Sequence, residues 1–136
     1  MVKNQIAAAI LRVVLGVVFF MHGVSKFQDG IVNTVGFFES LGLPGFTAYI
    51  VALIELIGGL AMILGIGTRI ISILFALIMI GAITMVKIGE GFFGIEFDLV
   101  LMTMSICLAI VNKSYLALDN ILSRNKNQND DYSITK

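Results

Sequence analysis

Long apolar blocks separated by short polar joints run through this chain. The blocks cover residues 6–24, 46–66, 70–88 and 94–111. Each approaches the roughly 20 residues that cross a hydrocarbon core of about 30 Å. They are too long and too evenly apolar for strands, and backbone groups in lipid must be satisfied within their own segment, so the pattern predicts helices. The fourth block carries Glu96 and Asp98 in its first turns, leaving 99–111 as its fully apolar part. The first block lacks a small-x-small site after its apolar stretch and is read as a retained span rather than a signal peptide.

The joints have patterns of their own. Between the first two blocks, Ile31, Val35, Phe38 and Leu41 recur at helical spacing, with Asn33, Thr34, Glu39 and Ser40 opposite. This predicts a short helix in the membrane interface, ending at the LGLPG run that holds Pro44. The GIGTR joint at 65–69 is a tight turn that makes the second and third spans antiparallel. The expected architecture is an all-α integral membrane protein: an antiparallel bundle of four transmembrane helices, with an interfacial helix between the first and second. Residues 1–122 form that domain, and the polar stretch 123–136 is expected to be a disordered tail.

Composition sharpens the picture. The chain has 136 residues, 58% hydrophobic and only 13% charged, against about 25% charged in soluble domains. The formal net charge of zero offers no basic field for nucleic acid. Cys107 is the single cysteine, which excludes an internal disulfide, a CxxC pair and a cysteine-bound metal centre. One histidine cannot supply bis-histidine haem ligation, and no phosphate-cradling glycine loop is present. No metal site is expected. The partners expected are the bilayer and a small-molecule ligand.

Basic residues set the orientation. With four spans, Lys3, Arg69, Lys113, Arg124, Lys126 and Lys136 share one side, against Lys26 and Lys87 on the other. Both termini are therefore expected to be cytoplasmic in a multi-pass protein of the cell membrane.

Ionisable groups inside spans are costly and mark function by default. Arg12 lies about 9 Å from the start of the first helix and Glu55 about 16 Å from the cytoplasmic end of the second, at 1.5 Å per residue. Arg12 shares a stripe with the small residues Ala8 and Gly16, and Glu55 shares a face with Ala48, Ala52, Gly59 and Met62. The expectation is an Arg12–Glu55 pair flooring a polar pocket between the first two spans, or else fixing those helices structurally. His22 and Lys26, one turn apart, extend a polar track outward. Lys26 can also simply snorkel to the headgroups, and His22 can sit hydrated at the interface. Glu96 and Asp98 enter from the same side, within reach of His22, Lys26 or Lys87.

With these residues in view, the chain resembles the DoxX family, most of all its CatD-type members. The resemblance is carried by LRVVLGVVFFMHGVSKF (11–27), GFFESLGLP (36–44), ALIELIGGLAMILGIGTR (52–69), GFFGIEFDLVL (91–101) and YLALD (115–119). Arg12, His22, Gly23, Lys26, Glu55, Gly59, Arg69, Glu96 and Asp119 match family positions. The family's Gly-rich lead-in to its final Ser-Leu-Asp is replaced here by NKSYLALD. The resemblance implies a cell-membrane oxidoreductase or redox subunit that handles or detoxifies quinones or catechols beside a soluble enzyme such as a dioxygenase. Quinone would then serve as substrate or electron carrier. On that reading Arg12 bonds a quinone oxygen, Glu55 exchanges a proton, His22 with Glu96 relays protons outward, and Gly59 and Lys26 complete the binding site. Two alternatives stand beside it: a small proton-coupled transporter, and a non-catalytic anchor for a soluble redox partner.

The orientation is checked with a phosphatase that folds only outside the cytoplasm. Fused after Leu122 it is expected to be inactive, and inserted after Gly30 active. The opposite pattern overturns the assignment.

Overall fold

The computed structural model describes residues 2–111 and 117–134, with side chains over 3–111 and 117–126. Helices α1 (Val2–Gln28), α2 (Ile31–Ser40), α3 (Phe46–Leu64), α4 (Thr68–Gly81), α5 (Gly91–Ile110) and α6 (Leu118–Ile134) follow in order, and α4 continues into a π-helical turn at Ala82–Val86. Among the described residues, four helices are long and apolar enough to cross a membrane: Lys3–Gln28, Phe46–Leu64, Thr68–Val86 and Gly91–Ile110. This is a multi-pass membrane protein. The spans follow the hydrophobic blocks closely. α1 runs one turn further than its block and so carries Lys26, and α5 starts early enough to enclose Glu96 and Asp98.

Large apolar side chains such as Ile10, Ile57, Leu77 and Ile110 point outward, while the interior is built from Leu15, Phe19, Ala52, Met62, Phe75 and Leu108. That inversion is what lipid permits, because helices there gain no hydrophobic drive from meeting each other and associate through close packing instead. The closest packing joins α1 to α3. A Cβ built on Gly59 would lie 2.5 Å from the Phe20 nitrogen, and one on Gly23 2.5 Å from the Leu56 nitrogen. One on Gly16 would lie 2.8 Å from the Gly59 oxygen and 2.9 Å from the Ile63 nitrogen. The two backbones touch. The face of α3 predicted to carry the small residues is the buried one: Ala48, Ala52, Glu55, Gly59 and Met62.

α3 ends at Gly65, whose φ of 76° is open to glycine at little cost. The Ile66 and Gly65 amides donate to the Ala61 and Met62 carbonyls at 2.9 and 3.1 Å, closing the helix end. After this turn α4 packs back on α3 where Gly58 meets Ile71 and Phe75. Phe75 stacks on Phe19 of α1 with centroids 3.7 Å apart. On the other side α4 lies along α5, with Ser72 and Ser105 both fully buried. α2 presents Ile31, Val35, Phe38 and Leu41 as its half-buried face and Val32, Asn33 and Glu39 to the outside.

One stretch differs from expectation. The polar segment expected to be a disordered tail is helical through Ile134. Its first turn is fastened: the Gly67 amide donates to the Asp119 carboxylate at 2.8 Å, and the Asp119 amide donates to the Gly65 carbonyl at 3.3 Å. Residues 118–134 contain neither Gly nor Pro, so nothing in that stretch interrupts the helix once it is started. Lys113, Tyr115, Lys136 and the lead-in at 112–116 lie outside the described residues.

Gly59→Ala is expected to lower thermal stability in detergent by about 1–3 kcal/mol through overpacking of the α1–α3 contact. Gly36→Ala, where an added Cβ meets nothing within 4 Å, is expected to raise it by about 0.5–1 kcal/mol by favouring α2. Equal shifts in the two variants would remove the glycine contact as the determinant of assembly.

Candidate functional site: a cavity at the α2 end of the bundle

The α1–α3 register decides which charges meet. Gly16 faces Ile63, Phe20 faces Gly59 and Gly23 faces Leu56, so each turn up α1 is one turn down α3. Continued upward, the series brings Glu55 to the last turns of α1. There the Lys26 ammonium lies 2.6 Å from a Glu55 carboxylate oxygen, the side chains 22% and 5% exposed. His22, one turn below Lys26, is within electrostatic reach of the same carboxylate. Its ring lies 6.0 Å from that of Phe97 on α5.

A second pair closes the opposite wall. The π-helical turn ends as the Lys87 amide donates to the Ala82 carbonyl at 3.2 Å, and the Lys87 ammonium sits 2.8 Å from the buried Asp98 carboxylate. Widened turns of this kind recur at functional sites. Between the two pairs lies a cavity of about 510 Å³. Phe19, Ile54, Ile78 and Leu101 supply apolar walls, and Phe38 and Leu41 of α2 cover it. Apolar walls with a few convergent polar groups are the usual form of a small-molecule site.

The structure therefore redistributes the residues singled out in the sequence. His22, Lys26 and Glu55 come together on the cavity. Arg12 does not join them. Continued downward, the same register carries Arg12 to the α3–α4 turn, about three turns and roughly 18 Å from Glu55's level at 1.5 Å per residue. Its guanidinium lies against Gly65, where a Cβ would be 2.5 Å from Nη1, and it senses the charge of Asp119. The expected Arg12–Glu55 pair fails because depths measured from each helix's own end ignore that α1 extends well past the turn closing α3. Glycine contact closes the α1–α3 seam at Gly16, Gly23 and Gly59, and the cavity lies beyond it at the α2 end, where both helices contribute walls. Gly59 is part of the closure and not of the cavity.

Glu96 is exposed and absent from the cavity wall, and Asp98 lines it instead. The signal for Asp98 was present in the sequence: Asp98, Leu101, Ser105 and Leu108 follow helical spacing and form the buried stripe of α5. Asp119 also takes a definite place, accepting from the Gly67 amide and tying α6 to the turn.

Comparison with known proteins adds to this geometry. The DoxX family pattern matches residues 7–88. A Bacillus subtilis (strain 168) protein named "Putative oxidoreductase CatD" is 49% identical over 123 residues, covering 90% of this chain and 91% of that protein. A Mycobacterium tuberculosis (strain ATCC 25618 / H37Rv) protein, "Uncharacterized membrane protein Rv3486", is 32% identical over 92 residues, covering 63% of this chain and 56% of that one. No solved structure matches.

Removing one partner of a buried ion pair strands the other charge, at a cost of about 3–5 kcal/mol. Lys26→Met is expected to fall at the low end of that range in thermal unfolding, because Lys26 keeps some solvent. Lys26→Met with Glu55→Gln is expected to recover most of the loss. A double variant no more stable than the single one would show that the pair is not coupled.

Proposed function

This chain belongs to the DoxX family, and from that premise we propose that it is a membrane oxidoreductase or redox subunit that binds a quinone- or catechol-type ring in the cavity beside Lys26–Glu55. The observation that carries this reading is the convergence of two carboxylate–ammonium pairs on one apolar-walled space. Interconverting a dione and a diol moves two electrons and two protons. The cavity is equipped for the protons. The Lys26 ammonium donates a hydrogen bond to a ring oxygen, the part assigned to Arg12 from sequence alone, and Glu55 takes or returns the proton. Lys87–Asp98 offers a second polar contact across the ring. His22, exposed at the cavity edge, passes protons toward water. Electrons come from a soluble redox enzyme or a diffusible reductant.

The relative's printed name supports the oxidoreductase class, and the step to quinones or catechols is family analogy joined to the site's chemistry. The orientation expected from the basic residues puts the cavity toward the outer face of the cell membrane and both termini in the cytoplasm. A proton-coupled exporter of cations fits less well. Such a carrier needs a carboxylate open to a cationic cargo, whereas the Lys26 ammonium already occupies that place beside Glu55.

Glu55→Gln is expected to abolish protection of cells against added catechol or quinone, with the amount of protein in the membrane unchanged. Protection equal to that of the unmodified chain would remove Glu55 from the mechanism.

A further inference from the structure

The walls of the cavity show how it is entered. α3 and α4 are joined by the tight turn at Gly65–Gly67 and pack closely where Gly58 meets Phe75 and Ile71. Toward the α2 end they part, and the cavity fills the space between Val51 and Ile54 of α3 and Leu74, Leu77 and Ile78 of α4. Leu77 lines this space while 59% exposed, on the surface of a helix that crosses the bilayer. α2 roofs the cavity with Phe38 and Leu41, and on the α1–α5 side the His22 ring faces that of Phe97 at 6.0 Å. The polar groups stand well inside: Glu55 is about 14 Å along α3 from Phe46, and Asp98 about 10 Å along α5 from Gly91.

Two further properties describe the occupant. Each acidic group is already matched by an ammonium, so the site offers hydrogen bonds but no net charge to an ion. A volume of about 510 Å³ falls in the roughly 300–1,000 Å³ range of sites for drug-sized ligands, and exceeds the needs of a bare dihydroxybenzene ring.

We propose that the ligand enters this cavity sideways from the bilayer, through the seam between α3 and α4, as an uncharged oxygenated ring whose apolar tail stays in the seam beside Leu77 and Val51. This rests on the ring-binding reading above and adds to it a route and a ligand class. A ring dissolved in lipid reaches Lys26 and Glu55 without crossing the roof, and the tail replaces lipid against Leu74 and Leu77.

The chain has no tryptophan, so single tryptophans report cleanly. In phospholipid vesicles, on a Cys107→Ser background that removes the thiol as a quinone target, Phe38→Trp reports from the cavity wall. Ile57→Trp reports from the lipid face of α3, away from the cavity. The probes are benzoquinone with a decyl chain and the same ring without it, each expressed as concentration within the lipid. The expected result is saturable quenching at Phe38→Trp, at least tenfold tighter for the decyl probe, with only unsaturated collisional quenching at Ile57→Trp. Narrowing the seam with Val51→Phe and Leu77→Phe is expected to slow the decyl probe severalfold and to slow the bare ring less. If both probes bind equally and narrowing changes neither, while Lys26→Met weakens both, the sideways route is overturned and the ring-binding reading stands. Absence of saturable quenching by either probe overturns both.

Discussion

Backbone contact between α1 and α3 at Gly16, Gly23 and Gly59 is the constraint on which the rest of the structure depends. In a bilayer the apolar surfaces of two helices gain nothing by leaving lipid, so what holds a pair together is how near the backbones can come. At these positions a single added carbon would collide with main-chain atoms. The contact therefore does more than hold the helices together. It leaves few relative heights at which the two can sit, and so determines the level at which every polar side chain of α1 meets α3.

Two separate polar centres result, at opposite ends of the bundle. At one end Lys26 meets Glu55, and Lys87 meets Asp98, across an apolar space roofed by α2. At the other end Arg12 lies buried against the α3–α4 turn, where Asp119 receives the Gly67 amide and fastens the start of α6. The cost of placing ionic groups among apolar side chains is met by pairing at the first centre. At the second, the opposite charges of Arg12 and Asp119 share the turn with the Gly65 carbonyl and Gly67 amide that Asp119 bonds. The cavity has a related origin. α3 and α4 are tied at their shared turn and at Gly58, and beyond that contact, toward the α2 end, they part around the cavity.

Much of this could be read from residue order. Four spans, the interfacial helix with Phe38 and Leu41 on its inner face, the tight turn at Gly65 and the small-residue face of α3 all follow from periodicity and residue size, which act within a few turns of chain. The inward stripe Asp98–Leu101–Ser105–Leu108 was equally legible, although Glu96, its neighbour in sequence, draws attention first. His22, Lys26 and Glu55 were recognisable as polar groups out of place in a span.

Pairing was not legible. Which of Arg12 and Lys26 reaches Glu55 depends on the relative height of two helices, and that height is set by contacts between residues more than thirty positions apart, such as Gly23 with Leu56. Local pattern specifies that α1 and α3 are helices and which faces turn inward, because those properties reside in the segment itself. Only the assembled bundle decided that Arg12 belongs to the turn and Lys26 to the carboxylate, because translation of one helix along another leaves every local preference satisfied and only tertiary contacts distinguish the alternatives.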